Sequence, residues 1–195
     1  MTVAAAILAA GRGSRVAGRT PKPLLDLAGQ PLVAWALAAP LAADVEPVLL
    51  VVGRSGRAVA QAAPPGVGVV RSRRWRRGIA RSLGAALESL AAGDAAAVCV
   101  GLADQPLVGP DAYRRLARAH AGGARLAVAT YDGQRANPVL LDRSLWPAAR
   151  ALRGDVGARA LTATHDVVEV DCSGTGDPSD VDTLDDLRAL EGRTA

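Results

Sequence analysis

One short stretch concentrates glycines and cations. It runs ILAAGRGSRVAGRTPKPLLDLAGQP from Ile7 to Pro31 and holds Gly11, Gly13 and Gly18 with Arg12, Arg15, Arg19 and Lys22. Glycines let backbone N–H groups approach a phosphate chain, and the cations neutralise it. The pattern suits a phosphorylated ligand; a surface loop that merely carries arginines is the plainer alternative. Two familiar phosphate loops do not fit. No G-x-x-x-x-G-K-[ST] string occurs, as a Walker A loop requires. A G-x-G-x-x-G fingerprint started at Gly11 and Gly13 would place Val16 at its third glycine, and the acidic residue expected about 20 residues on, at the end of a second strand, is missing.

Carboxylates supply the complementary chemistry. Asp104 stands in LADQP, directly after an apolar run and before Pro106. A carboxylate there, facing a cationic loop, suits Mg²⁺, which takes one or two carboxylates together with phosphate oxygens. The alternative is a turn aspartate ahead of the next helix. Asp180 and Asp182, in SDVDT, give a second candidate. Asp182 also precedes a helix, where a negative charge is favourable with no further role. Gly154 and Asp155 read either as a turn with a helix cap or as site residues. Basic loop, magnesium carboxylate and crevice together allow phosphoryl or nucleotidyl transfer. A phosphate acceptor would need no catalytic base, because a phosphate monoester with a second pKa of about 6 is largely dianionic at neutral pH.

The elements that must position these groups alternate. Apolar runs at 3–10, 47–52, 67–70, 95–101, 125–131 and 167–170 (the last with Glu169 inside it) read as strands, and the continuous apolar character of 47–52 indicates burial on both faces. Helical patterns cover 31–39, 55–62, 78–91, 110–121, 145–152, 156–163 and 183–190, with Pro31 opening the first and Pro40 near its end. Residues 137–141 read as a returning extended segment. Thr183 and Asp186 have capping-box spacing. This order predicts one α/β domain over 1–195 with a mostly parallel central sheet. Ligands of such sheets sit beyond the carboxyl ends of the strands, at a topological switch point. The basic loop and LADQP both lie at such ends, and their convergence on one crevice is the main expectation.

Composition sets outer limits. The chain has 195 residues, half of them apolar, no Phe, and a formal net charge of +4. That length suits one domain with a substantial core. Arg71, Arg73, Arg74, Arg76, Arg77 and Arg81 cluster around Trp75; a solvated basic face or the rim of a phosphate site explains them better than nucleic acid does. Trp35 and Trp146 read as core. Cys99 reads as buried, Cys172 as lying in an exposed polar turn, and His120 and His165 as surface residues. Two cysteines without C-x-x-C and two histidines do not make a zinc site or a disulfide framework. No apolar run is long enough to span a bilayer and no secretory leader pattern opens the chain, so the expected location is cytoplasmic, with no membrane partner.

The motifs together resemble the MobA-like NTP transferases, and within them the MocA-type molybdenum cofactor cytidylyltransferases. ILAAGRGSRVAGRTPKPLLDLAGQPLV resembles the opening signature, and WRRGIARSLGAAL (75–87), GLADQPLV (101–108), RANPVLL (135–141), LRGDVGARAL (152–161) and DVDTLDDL (180–187) follow in order. The resemblance implies a three-layer Rossmann-like nucleotidyltransferase fold. It also implies a Mg²⁺-dependent transfer of NMP from an NTP to a phosphorylated small-molecule acceptor such as molybdopterin. Leu8, Ala9, Ala10 and Gly11 would contact base and ribose, with Ser82 and Asn137 as further binding residues. Gly13, Arg15 and Lys22 would hold the β- and γ-phosphates, Arg15, Lys22 and Asp104 would be catalytic, and Asp104 and Asp182 would bind the metal. Leu8-Ala9-Ala10-Gly11 resembles the form that accompanies CTP rather than GTP. A molybdoenzyme or its maturation chaperone is an implied partner. The chain departs from the pattern at Ala136-Asn137-Pro138, where the family usually has Gly-His-Pro, and at Val16–Thr20, which lacks the usual Met-Gly pair. Acceptors such as 2-phospholactate, a sugar phosphate or methylerythritol phosphate therefore stay open, as does a non-catalytic nucleotide-binding role.

Overall fold

The computed structural model describes residues 2–11 and 20–193. In chain order the strands are β1 (Thr2–Ala9), β2 (Asp26–Leu27), β3 (Gln30–Pro31), β4 (Val48–Val52), β5 (Gly68–Arg71), β6 (Ala95–Leu102), β7 (Leu126–Tyr131), β8 (Gln134–Asp142) and β9 (Val168–Asp171). The α-helices are α1 (Leu32–Ala42), α2 (Gly56–Gln61), α3 (Ile79–Leu90), α4 (Pro110–Ala121), α5 (Trp146–Ala151) and α6 (Leu184–Glu191). Seven strands form one sheet in the order β5-β4-β1-β6-β8-β7-β9. β8 runs antiparallel to both its neighbours, and the other pairings are parallel.

β1 explains why the early apolar run does not alternate. Val3, Ala5, Ile7 and Ala9 face the core shared with α1 and α4, while Ala4, Ala6 and Leu8 face the core shared with α3 and α5. Both faces are covered, so both sets must be apolar. The result is a three-layer α/β fold. A third, smaller cluster seats α6 (Leu187, Leu190) on Leu27, Leu32 and Val181. It ties the end of the chain to the β2–β3 hairpin that follows the basic loop. No described helix is long and apolar enough to cross a membrane.

From β1 the chain builds outward through β4 to β5 and then returns to place β6 on the other side of β1. The switch point therefore lies between the carboxyl ends of β1 and β6, as the sequence predicts. These ends are stitched together by the Ala103 N–H, which donates to the Leu8 carbonyl at 3.2 Å.

Several expectations are revised. α1 continues past Pro40, which is buried within its last turns; so near a helix end the missing N–H costs little. Residues Ala158–Ala163 form 3₁₀ turns rather than an α-helix. The extended segment at 137–141 is the second half of a nine-residue strand. Cys172 is fully buried, not exposed, because its N–H donates to Thr130 O at 2.8 Å and turns the residue into the core. His120 is also buried. Its Nε2 lies 2.9 Å from Asp142 Oδ2, so the polar ring is satisfied inside. Trp35 is half-buried, its indole N–H donating to Leu27 O at 2.8 Å, whereas Trp146 is core.

Two outcomes follow from the packing. Partial desolvation would raise the Asp142 carboxyl, but hydrogen bonds from Ser144 and His120 outweigh it and hold the group below its usual range. A carboxyl depressed in the folded state stabilises above its unfolded pKa of about 3.9, and that contribution is lost as pH falls through the folded value. Asp142→Asn should therefore lose stability at neutral pH and show a flatter acid limb in urea denaturation. A Cβ at Gly109, which precedes α4, would sit 1.9 Å from Thr175 O. Gly109→Ala should cost about 1–3 kcal/mol by the same measurement.

Candidate active site

Lys22 opens a 3₁₀ turn, Lys22–Leu24, flanked by Pro21 and Pro23. The prolines fix the local φ and carry the lysine side chain back toward the sheet. Its ammonium reaches two carboxylates at once, Asp104 Oδ2 at 2.7 Å and Asp182 Oδ1 at 2.9 Å. Lys22 is 11% exposed, Asp104 32% and Asp182 48%. The cluster thus opens to solvent on the carboxylate side while the cation lies beneath. Burial alone would lower the Lys22 pKa, but the charge of Asp104 and hydrogen bonds to both aspartates outweigh it and raise the value. The lysine stays protonated at any physiological pH. Asp180 carries the opposite strain: partial desolvation, and then repulsion from Asp104 and Asp182, raise its carboxyl above the usual range.

Each carboxylate is fixed by its own backbone. Asp104 follows β6, and its carbonyl accepts from Val181 N at 2.8 Å, which brings the two acidic segments side by side. The Asp177 N–H donates to Leu107 O at 2.9 Å, and Val108 bridges to Gly176. Asp182 precedes the cap of α6. The predicted capping box is present: the Asp186 N–H donates to Thr183 Oγ1 at 3.1 Å, and Asp186 Oδ2 accepts from the Thr183 and Asp182 N–H groups at 2.7 and 2.8 Å. Helix capping and the carboxylate position are therefore not alternatives at Asp182. The cap is what aims it.

A third residue, which sequence reasoning passed over, braces this arrangement. Gln105 is buried; its Nε2 donates to Pro178 O at 2.8 Å and its Oε1 accepts from Asn137 Nδ2 at 3.0 Å. Asn137 is thereby drawn to the neighbour of Asp104, on the first half of β8. The signal in the sequence is a second polar residue, next to Asp104, directly after an apolar strand.

The remaining candidates are distributed as follows. Leu8, Ala9 and Ala10 are buried at the carboxyl end of β1, and Gly11 is exposed. Ser82 is buried on α3, which packs on the sheet face opposite α1 and α4, and it is not part of the ion cluster. Gly13 and Arg15 lie outside the described residues.

Asp104 and Asp182 are the pair that could hold a divalent cation, since their oxygens already converge on one positive charge. Among the described residues no group of three or more His, Cys, Asp or Glu side chains would hold a metal by itself. Two carboxylates with the remaining positions left to phosphate oxygens and water fit Mg²⁺ or a similar hard ion. The set does not fit zinc, which prefers nitrogen and sulfur ligands.

The MobA-like NTP transferase domain model matches residues 5–170, spanning the glycine-rich loop, Lys22 and Asp104. The chain belongs to this family. This MobA-like protein is accordingly a nucleotidyltransferase by descent, and its seven-stranded sheet is the one its structural neighbours share. The Rv0371c protein of Mycobacterium tuberculosis H37Rv superimposes with a TM-score of 0.81 at 28% identity, covering 98% of this chain and 97% of that one; a further structure of that protein is a complex with manganese. A curated relative from Paenarthrobacter nicotinovorans, named nicotine blue oxidoreductase, is 33% identical over 96% of each chain. A 2-C-methyl-D-erythritol 4-phosphate cytidylyltransferase of Cereibacter sphaeroides is 41% identical over 68% of this chain and 60% of its own length.

The brace gives a test. Gln105→Leu fills similar space but leaves the Pro178 carbonyl and the Asn137 amide without their partner. It should lower stability by about 1–3 kcal/mol in urea titration. It should also broaden the amide resonances of both 103–108 and 177–183, whereas a purely local effect would spare the second segment.

Proposed function

We propose that the protein is a Mg²⁺-dependent nucleotidyltransferase that passes NMP from an NTP, CTP in preference to GTP, to a phosphorylated acceptor such as molybdopterin, with release of pyrophosphate. The observation that carries this reading is the Lys22 ammonium seated between Asp104 and Asp182 at the switch point of the sheet. Two carboxylates gathered around one cation, with a lysine beside them, supply what a triphosphate and its counterion require. The manganese complex of the Rv0371c protein supports a divalent ion in this family. The form Leu8-Ala9-Ala10-Gly11 supports CTP by its resemblance to the cytidine-using branch.

An oxygen of the acceptor phosphate attacks the α-phosphorus, and the bond from that phosphorus to the pyrophosphate oxygen breaks in line. The acceptor is already anionic, so no side chain has to remove a proton. A bound Mg²⁺ would offset negative charge on the triphosphate, held by Asp104 and Asp182. Lys22, permanently charged, would turn from the carboxylates to the phosphates and stabilise charge as it builds on the leaving group. Leu8, Ala9, Ala10 and Gly11 would seat the base and ribose at the end of β1, with Ser82 on α3. Asn137, braced by Gln105, would face the acceptor. Gly13 and Arg15 complete the phosphate loop in this reading.

A second reading, a redox reaction, is favoured by the nicotine blue oxidoreductase relative, which matches over nearly all of both chains. One experiment separates the two. The protein is incubated with Mg²⁺, CTP or GTP and a panel of phosphorylated acceptors, and pyrophosphate is measured; a parallel series offers a reduced nicotinamide as electron donor with nicotine blue as electron acceptor and follows oxidation of the nicotinamide. The expected outcome is pyrophosphate release with CTP, lowered at least about a hundredfold in Asp104→Ala. Full activity in that variant, or nicotinamide oxidation without any pyrophosphate, would overturn the proposal.

A further inference from the structure

The arginine cluster does not belong to the Lys22 site. Its Arg71, Arg73, Arg74 and Arg81 line a cavity of about 780 Å³ between the segment after β5, the outer face of α3, and α5. Arg81, Gly84, Ala85 and Glu88 line it from α3 at spacings of three and four, which places them on one stripe of the helix. The opposite stripe, Ser82, Leu83, Ala86 and Leu87, is buried toward the sheet. The cavity therefore shares no residue with the site at the ends of β1 and β6.

Its electrostatics are one-sided. Arg71, Arg73, Arg74, Arg81 and Arg150 line it, against the single carboxylate of Glu88. Glu88 is already engaged by Arg150 at 3.1 Å. Among the described residues none of the other four guanidinium groups meets a carboxylate. Like charges gathered around a concave surface repel one another and focus a positive potential that an anion relieves. The floor adds a second feature. Ser72 lines the cavity and is buried, and its hydroxyl has no hydrogen-bond partner. A buried hydroxyl left unpaired is unfavourable and calls for a partner. Its backbone is committed elsewhere, the N–H donating to Val52 O at 2.9 Å.

We infer that this cavity is a second ligand site, which binds a small phosphorylated anion through the guanidinium groups of Arg71, Arg73, Arg74 and Arg81 with the Ser72 hydroxyl beneath them. Guanidinium forks match phosphate oxygens two by two, which lysines would not do. The concave shape and the small floor residues Gly84, Ala85 and Ala151 suit a compact ligand rather than a nucleic-acid duplex. The occupant is either a free inorganic anion or the phosphate of a metabolite. It would grip β5 and α3 together, and α3 carries Ser82 on its other face.

The test is calorimetric titration without divalent ions, using sodium pyrophosphate in one arm and glycerol 3-phosphate in the other. Two variants address the site. Arg73→Ala/Arg74→Ala removes two exposed cations. Gly84→Glu adds a carboxylate at a helical position where a Cβ meets nothing within 4 Å, so the fold should hold. The expected result is saturable binding of one probe per chain, weakened about tenfold or more by each variant and retained in Asp104→Ala. Tighter pyrophosphate would assign the cavity to a free anion, and tighter glycerol 3-phosphate to a metabolite. Binding of neither probe, binding unchanged in both variants, or loss only in Asp104→Ala would overturn the inference. So would tighter binding of a short RNA or DNA duplex with a steep salt dependence, which would give the cluster to nucleic acid.

Discussion

Three pieces of chain far apart in sequence meet at the ammonium group of Lys22. Asp104 lies 82 residues away and Asp182 lies 160 away, and each approaches the same nitrogen within 2.9 Å. Withdrawing a lysine from water is unfavourable, and one carboxylate beside it would offset that only in part. Two do so, and the cation in turn cancels what would otherwise be repulsion between them. Any state in which Lys22 leaves must put another positive charge in its place.

That meeting point is stable because the scaffold beneath it is nearly all backbone and small apolar side chains. β1 is sandwiched by strands on both edges and by helices on both faces, so its carboxyl end cannot drift. The Ala103–Leu8 hydrogen bond couples β6 to it, and the Val181–Asp104 bond adds the C-terminal segment. Alanine carries much of the interior of β1, with Ala4, Ala5 and Ala6 fully buried. Side chains this short bring the helical layers close to the sheet and leave few rotamers to disorder the site.

How much of this was legible in the sequence follows from where each signal resides. Continuous apolar runs marked β1, β4 and β6 because burial on two faces is a local requirement. The i, i+3, i+4 pattern marked α3 and α4, and Thr183 with Asp186 marked the start of α6. The strand–helix alternation was enough to put Lys22 and Asp104 into one crevice. What could not be read were pairings between distant residues whose types look ordinary alone. His120 reads as a surface residue because it stands near a helix end, and Cys172 because it lies among turn formers. Only the fold supplies Asp142 to one and a core position to the other. Gln105 looked like part of a motif, and its two hydrogen bonds to separate segments became visible only in three dimensions. The reversal of β8 did have a local mark, the turn at Asp132 and Gly133 before the returning segment at 137–141, although the first residues of the strand read as part of that turn.

The reversal has an architectural consequence. Every parallel step in this sheet needs a crossover on the far side, so changing the rim there means moving a helix. The step from β7 to β8 needs only Asp132 and Gly133, both in left-handed backbone conformations. That turn projects at the same edge of the sheet as the ends of β1 and β6, beside Asn137. One wall of the crevice can therefore grow, shrink or change composition by a few residues while the half built on β1 and its three layers stay fixed. A fold so arranged can take up new reaction partners by editing a hairpin, and relatives that share the core need not share what stands opposite it.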